Sequence, residues 1–111
     1  MIMRIVVGIA AILFGLLHTL AAGIQLKSKD PAIRGLAIAM ACGGACVALH
    51  TAAHLAGGRP GWMDALSLAV DCLLICVPAY ENGKRSGNFH PSHHIVRGIA
   101  ALLLVAGIAV W

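Results

Sequence analysis

Four apolar stretches, each long enough to cross a lipid bilayer, take up most of this chain. They cover about residues 5–26, 35–56, 62–80 and 95–111, and short polar joints separate them. A hydrocarbon core about 30 Å thick requires roughly 20 apolar residues per helix. Only 11% of the 111 residues are charged, whereas about a quarter are charged in soluble domains. The sequence therefore predicts an all-α integral membrane protein, a four-helix bundle that forms one transmembrane domain.

The basic residues indicate how the four spans are oriented. Arg4 and Arg59 belong to the side that holds both termini and the second joint. The other basic residues lie at or beside the first and third joints: Lys27, Lys29, Arg34, Lys84, Arg85 and Arg97. Because loops rich in lysine and arginine stay in the cytoplasm, we expect loops 27–34 and 81–94 to be cytoplasmic and both termini to lie outside, in an inner or plasma membrane. The positive residues sort by loop and form no patch for nucleic acid.

The second apolar stretch carries a row of side chains suited to metal binding. Its members recur every four residues, and so lie along one flank of a helix: Cys42, Cys46, His50 and His54. Thiolate and imidazole favour copper(I) and zinc over hard cations. We therefore predict a set of metal ligands that runs from the outer side inwards and includes a histidine of the first stretch: His50, His54, Cys46, Cys42 and His18. The alternative is that both cysteines are small packing residues.

Small residues recur along the first two stretches at helical spacing. On the first stretch, four small residues share one face with His18: Gly8, Ala11, Gly15 and Ala22. On the second stretch, three small residues form a ridge: Gly35, Ala39 and Gly43. Small residues allow helix backbones to approach closely in a membrane. We therefore expect close helix packing along these faces and assembly into a homodimer or a larger membrane complex, since twofold symmetry is the commonest arrangement of oligomers.

Asp71 is the acidic residue that the sequence places near the middle of the membrane. It lies seven residues after Asp64, which is about 10 Å deeper along a helix. A carboxylate at that depth needs a partner, and we predict Asp71 and His18 together as a proton or charge relay. The alternative is that Asp71 only makes a hydrogen bond between helices. Asp64, near the start of its helix, is explained by the helix dipole.

The longest polar joint carries three histidines, His90, His93 and His94. Imidazole suits zinc, copper and nickel, so these residues form a secondary prediction of a cytoplasmic metal site. The alternative is a solvated loop in which Ser92 caps the fourth helix.

These residues favour one function and leave two alternatives. Histidine, cysteine and aspartate side chains follow one another from the outer to the inner side, as a path for a metal cation such as zinc or copper, or for a proton, requires. An accessory or assembly subunit of a larger membrane complex would account for the small-residue faces alone. A redox protein that binds haem or quinone is disfavoured, since haem needs two histidines at matching depth. An enzyme is also disfavoured, because no nucleophile stands beside a base at a recognisable spacing.

Overall fold

The computed structural model describes residues 2–57, 61–87 and 89–111, and these ranges contain four helices. They are α1 (Ile2–Gln25), α2 (Pro31–Ala56), α3 (Gly61–Arg85) and α4 (Pro91–Val110). Each helix is long and apolar enough to cross a membrane. The predicted all-α fold with four such helices is therefore confirmed. The bundle measures 44 × 23 × 19 Å.

The starts of α2 and α4 follow from their prolines. Asp30 accepts a hydrogen bond of 2.9 Å from a backbone amide in the first turn of α2, and Pro31 is the first residue of that helix. Aspartate at the N-cap and proline just after it are preferred at helix starts. α4 begins at Pro91, with His90 at the N-cap position. The alternative in which Ser92 caps this helix is wrong at the cap, because Pro91 starts the helix and places the N-cap at His90, two residues before Ser92.

Two of the predicted joints lie partly outside the described residues. The second joint includes Gly58, Arg59 and Pro60, and the third includes Asn88. The orientation that was inferred from the basic residues of these joints stays a prediction.

Successive helices run antiparallel and pack against one another. α2 packs closely against α1 and α3, whereas α4 lies mainly against α3 and has a narrower contact with α1. The start of α1, the end of α2, the start of α3 and the end of α4 lie at one end of the bundle, which we call the termini end. The other ends of the four helices lie at the opposite end, which we call the two-loop end.

A buried apolar core fills the middle of the bundle. Its most enclosed large side chains are Val47 of α2 and Leu68 and Ile75 of α3, each at most 1% exposed. Ala11 of α1 and Cys72 of α3 belong to the same cluster. The part of this core at Val47, Cys72 and Ile75 lies between the polar side chains near the termini end and those near the two-loop end.

α1 and α2 cross at a pair of glycines. A Cβ atom on Gly15 would lie 2.5 Å from the carbonyl oxygen of Gly44, so the two backbones are in direct contact. The neighbouring Gly43 faces α3 instead. The buried residues of α1 confirm the predicted small-residue face: Gly8, Ala11, Gly15 and Ala22. Gly35 of the predicted α2 ridge is exposed and packs against no other described helix, so its part in the ridge stays a prediction.

Gly15→Ala is expected to destabilise the bundle, because the added methyl group meets the Gly44 backbone and forces α1 away from α2. Overpacking of this kind costs about 1–3 kcal/mol. Gly35→Ala is the matched control, since it also replaces a helical glycine and should raise stability by up to about 1 kcal/mol through helix propensity. The midpoint of thermal unfolding in detergent, followed by circular dichroism, is the measurement. Equal midpoints for the two variants would contradict the close approach.

Candidate functional site

Two histidine–aspartate pairs join α2 to α3 in the half of the bundle nearer the termini end. His54 Nδ1 lies 2.8 Å from Asp64 Oδ2, and His50 Nδ1 lies 2.5 Å from Asp71 Oδ2. In each pair the ring N–H donates to the carboxylate. The side chains of His54 and Asp64 are 5% and 2% exposed, whereas the side chain of His50 is 40% exposed. The first pair is therefore enclosed in the bundle, and the second opens onto the outer surface of α2.

The register of the α2–α3 hairpin brings these residues together. His54 lies three residues before Gly57, the C-cap of α2, and Asp64 lies three residues after Gly61, where α3 begins. Residues equally far from the turn of an antiparallel hairpin lie at the same height, since both helices rise equally per residue. The sequence feature that could have revealed this pair is that His54 and Asp64 lie equally far from the turn. The prediction from the sequence did not use it.

Asp71 has a different partner from the predicted one. The sequence analysis suggested His18, but the carboxylate binds His50. Side chains on a helix tilt towards its N-terminus, so those of His50 and Asp71, on antiparallel helices, lean towards each other. A depth counted along the backbone ignores this tilt, and for that reason the predicted pairing of Asp71 with His18 is wrong.

The helix-dipole explanation of Asp64 is incomplete. Asp64 does lie in the first turn of α3, but its side chain is buried and bound to His54. The guanidinium of Arg4 on α1 donates a hydrogen bond to the backbone carbonyl of His54. The same carbonyl accepts from the backbone N–H of Gly57, the C-cap of α2, at 3.1 Å, so the guanidinium is its second donor. Three helices therefore meet at His54.

Thr51 lies on α2 between the two pairs and is buried. Within the described residues, its Oγ1 and the Nε2 of His54 have no hydrogen-bond partner. Both side chains line a narrow space with His50 and Asp64 that is too small for a water molecule. Buried hydroxyl groups without a partner are rare in proteins. The hydroxyl therefore lies in the same buried region as His50, His54 and Asp64 and makes no hydrogen bond to them.

On the other side of the apolar core, Arg97 of α4 joins two histidines. Its Nε donates to His18 Nε2 at 3.0 Å, and its Nη1 donates to His94 Nδ1 at 2.9 Å. Arginine has no acceptor atom, so His18 Nε2 and His94 Nδ1 must each accept the hydrogen bond. An accepting ring nitrogen carries no proton, so both imidazoles are neutral in this arrangement. His18 Nδ1 donates to the carbonyl oxygen of Phe14 at 2.7 Å. Both nitrogens of His18 are thus engaged, and neither is available to a metal ion.

The predicted metal ligands do not come together in one site. Among residues 2–57, 61–87 and 89–111, no group of three or more His, Cys, Asp or Glu side chains could hold a metal ion. Cys42 is exposed and Cys46 is half-buried, both with a free thiol. The rings of His90 and His93 lie 5.3 Å apart at the two-loop end. The zinc or copper site remains a prediction without supporting geometry in a single chain.

The polar side chains form two groups, not the continuous line that the sequence analysis expected. One group contains the two histidine–aspartate pairs and Thr51, and the other contains Arg97 with its two histidines. Between them lie core side chains that include Val47, Cys72 and Ile75. A cation that crossed from one group to the other would have to displace these side chains.

Comparisons with known protein families, with curated proteins and with solved structures find no match for this chain. A function must therefore be inferred from the site itself.

Asp64→Ala is expected to destabilise the protein by about 3–5 kcal/mol, because it leaves a buried imidazole without its partner. Asp64→Asn keeps a carbonyl oxygen that accepts from His54 and should cost distinctly less. Asp30→Asn serves as the control, since Asp30 is an exposed N-cap and asparagine caps a helix as well as aspartate does. Thermal unfolding in detergent measures all three. A loss for Asp64→Ala no larger than for Asp30→Asn would show that the buried pair is not formed.

Proposed function

We propose that this protein is a four-span integral membrane protein that relays protons from the membrane surface at its termini end to His50 and Asp71. The observation that carries the proposal is the succession of two histidine–aspartate pairs along the α2–α3 contact, with the Thr51 hydroxyl between them. Ionisable side chains inside a membrane are costly, face the bundle interior and mark proton relays.

Each group in the series can both take up and release a proton. A neutral imidazole accepts a proton on one nitrogen and donates from the other, and a hydroxyl does both through one oxygen. A carboxylate beside the ring stabilises the imidazolium that forms. In the proposed step the protonated, positively charged ring of His54 gives a proton to the hydroxyl oxygen of Thr51. At the same time Thr51 gives its own hydroxyl proton to the neutral ring of His50. The hydroxyl is regenerated, and one positive charge moves from the Asp64 pair to the Asp71 pair.

A purely structural role for the pairs is the competing explanation. Two observations favour the relay over it. Contacts at Gly43 and Gly44 also hold α2 against α3 and α1, so the pairs are one of several sources of contact between these helices. A hydrogen bond that served only stability would also need no unpartnered hydroxyl beside it, since a buried polar group without a partner costs free energy.

Other parts of the sequence-based hypothesis have less support. Transport of zinc or copper lacks a group of three ligands within the described residues. A haem held by two histidines would use His18, whose ring nitrogens are both engaged. The proton is the cation that the observed groups can carry without further ligands.

A role as an accessory subunit or as one half of a homodimer is the second candidate, and the outward face of α2 favours it. Cys42, Ala45, Ala52 and Ala53 are exposed there, and small residues allow another membrane helix to approach closely. The exposed side of His50 lies beside this face. A helix docked against it would be placed to receive a proton from the relay, so the two candidates are compatible.

The test is the rate at which the ring N–H groups of His50 and His54 exchange with deuterated water, measured by NMR on labelled protein in lipid bilayers. Thr51→Val removes the hydroxyl with little change in shape. We expect this variant to slow exchange at His50 by about tenfold or more and to leave exchange at His54 unchanged, because only His50 depends on the hydroxyl.

Thr19→Val is the matched control, because the Thr19 hydroxyl donates to a carbonyl of its own helix and takes no part in the relay. Unchanged exchange at His50 in Thr51→Val would contradict the relay. The outward face of α2, and with it the accessory role, would then be the leading explanation.

A further inference from the structure

A groove runs between α1 and α4, where these helices are less closely packed. It consists of two cavities, of about 390 and 530 Å³, which share Phe14 and Ala100 in their linings. The cavity nearer the two-loop end is also lined by polar side chains, namely His18, Ser92, His93 and Arg97. The other continues towards the termini end between aliphatic side chains that include Leu13, Leu17 and Leu103. The groove thus has one polar end and a long apolar part.

The polar end of the groove carries an uncompensated positive charge. Within the described residues, no carboxylate forms an ion pair with Arg97, and its hydrogen-bond partners are the rings of His18 and His94. Both rings accept from the guanidinium and are neutral in this arrangement, so they add no negative charge. Two of the five N–H groups of the guanidinium are used, which leaves donors for a further acceptor. A guanidinium presents such donors in a geometry that suits phosphate and carboxylate.

We propose that this groove binds a single anionic lipid, with the anionic headgroup at Arg97 and an acyl chain along the apolar part. This proposal requires that the bundle lies in a membrane, as proposed above, but it does not depend on the proton relay. Ser92 and His93 supply further donors beside Arg97. Arg97 lies six residues after Pro91, where α4 begins, or about 9 Å along the helix. This depth is close to that of lipid headgroups when the helix starts at the membrane surface.

The shape of the groove favours a lipid over a small anion. A free phosphate ion would occupy only the polar end and would leave the apolar part without an occupant. The groove extends along α1 from His18 to Val6, which is about 18 Å of helix. An acyl chain matches both this length and the aliphatic lining, because burial of each methylene adds to the affinity.

The test is native mass spectrometry of the protein in neutral detergent, with phosphatidylglycerol and phosphatidylcholine added at equal concentrations. We expect a single bound phosphatidylglycerol to be retained about tenfold or more over phosphatidylcholine. Arg97→Gln should abolish this preference, because it removes the charge. Arg34→Gln is the matched control: Arg34 is another arginine near the two-loop end, but it binds loop carbonyls and does not line the groove.

A second variant tests the apolar part and leaves Arg97 in place. Ala100→Leu fills the point at which the two cavities meet, and we expect it to weaken lipid retention about tenfold or more. Ala109→Leu makes the same change at an exposed position of α4 that lines neither cavity and should retain the lipid. Equal retention of both lipids by the wild type would overturn the proposal. So would displacement of phosphatidylglycerol by inorganic phosphate alone, since the apolar part would then contribute nothing. Neither result bears on ring N–H exchange at His50, which tests the proton relay.

Discussion

The hydrogen bonds between the imidazoles of α2 and the carboxylates of α3 determine how the α2–α3 hairpin is arranged. A carboxylate buried among apolar helices is costly without a partner, and the partner's side chain must reach it from the neighbouring helix. His54 with Asp64, and His50 with Asp71, meet this requirement together in only one register. A shift by one turn would leave charged groups buried and unpaired. Apolar packing alone discriminates far less between registers, because most side chains of these two helices are aliphatic.

Once this register is fixed, the other contacts of the bundle depend on the size and the charge of the side chains. Gly44 of α2 meets Gly15 of α1, so these two helices approach as closely as backbones can. α4 makes fewer contacts with α1 than the other neighbouring helices make, and the side between these two helices stays open as a groove. Asp64 and Asp71 lie in the half of the bundle nearer the termini end, while Arg97 lies beside the groove near the two-loop end. Core side chains such as Val47, Cys72 and Ile75 lie between them.

The sequence was sufficient to predict four helices and the small-residue face of α1, because hydropathy and helical spacing are local properties. It was not sufficient for the pairing of Asp71, which depends on the tilt of side chains across two helices. Predicted ligands such as Cys42 and His18 were placed at similar depths in the membrane, but they have different surroundings. Cys42 is exposed on the outside of α2, whereas His18 binds Arg97. The role of Thr51 was also missed, since a threonine in an apolar helix becomes notable only when its hydroxyl is seen to be buried without a partner.

The most direct test of this account is the distance between the His50 ring nitrogen and the Asp71 carboxyl carbon in labelled protein reconstituted in bilayers. Dipolar recoupling in solid-state NMR measures such a distance. The account predicts that Nδ1 lies within about 4 Å of the carboxyl carbon, as a hydrogen bond between them requires, and that His54 and Asp64 show the same. A His50 nitrogen with no carboxyl carbon within about 6 Å would contradict the pairing on which the fold of the hairpin and the proposed relay both depend.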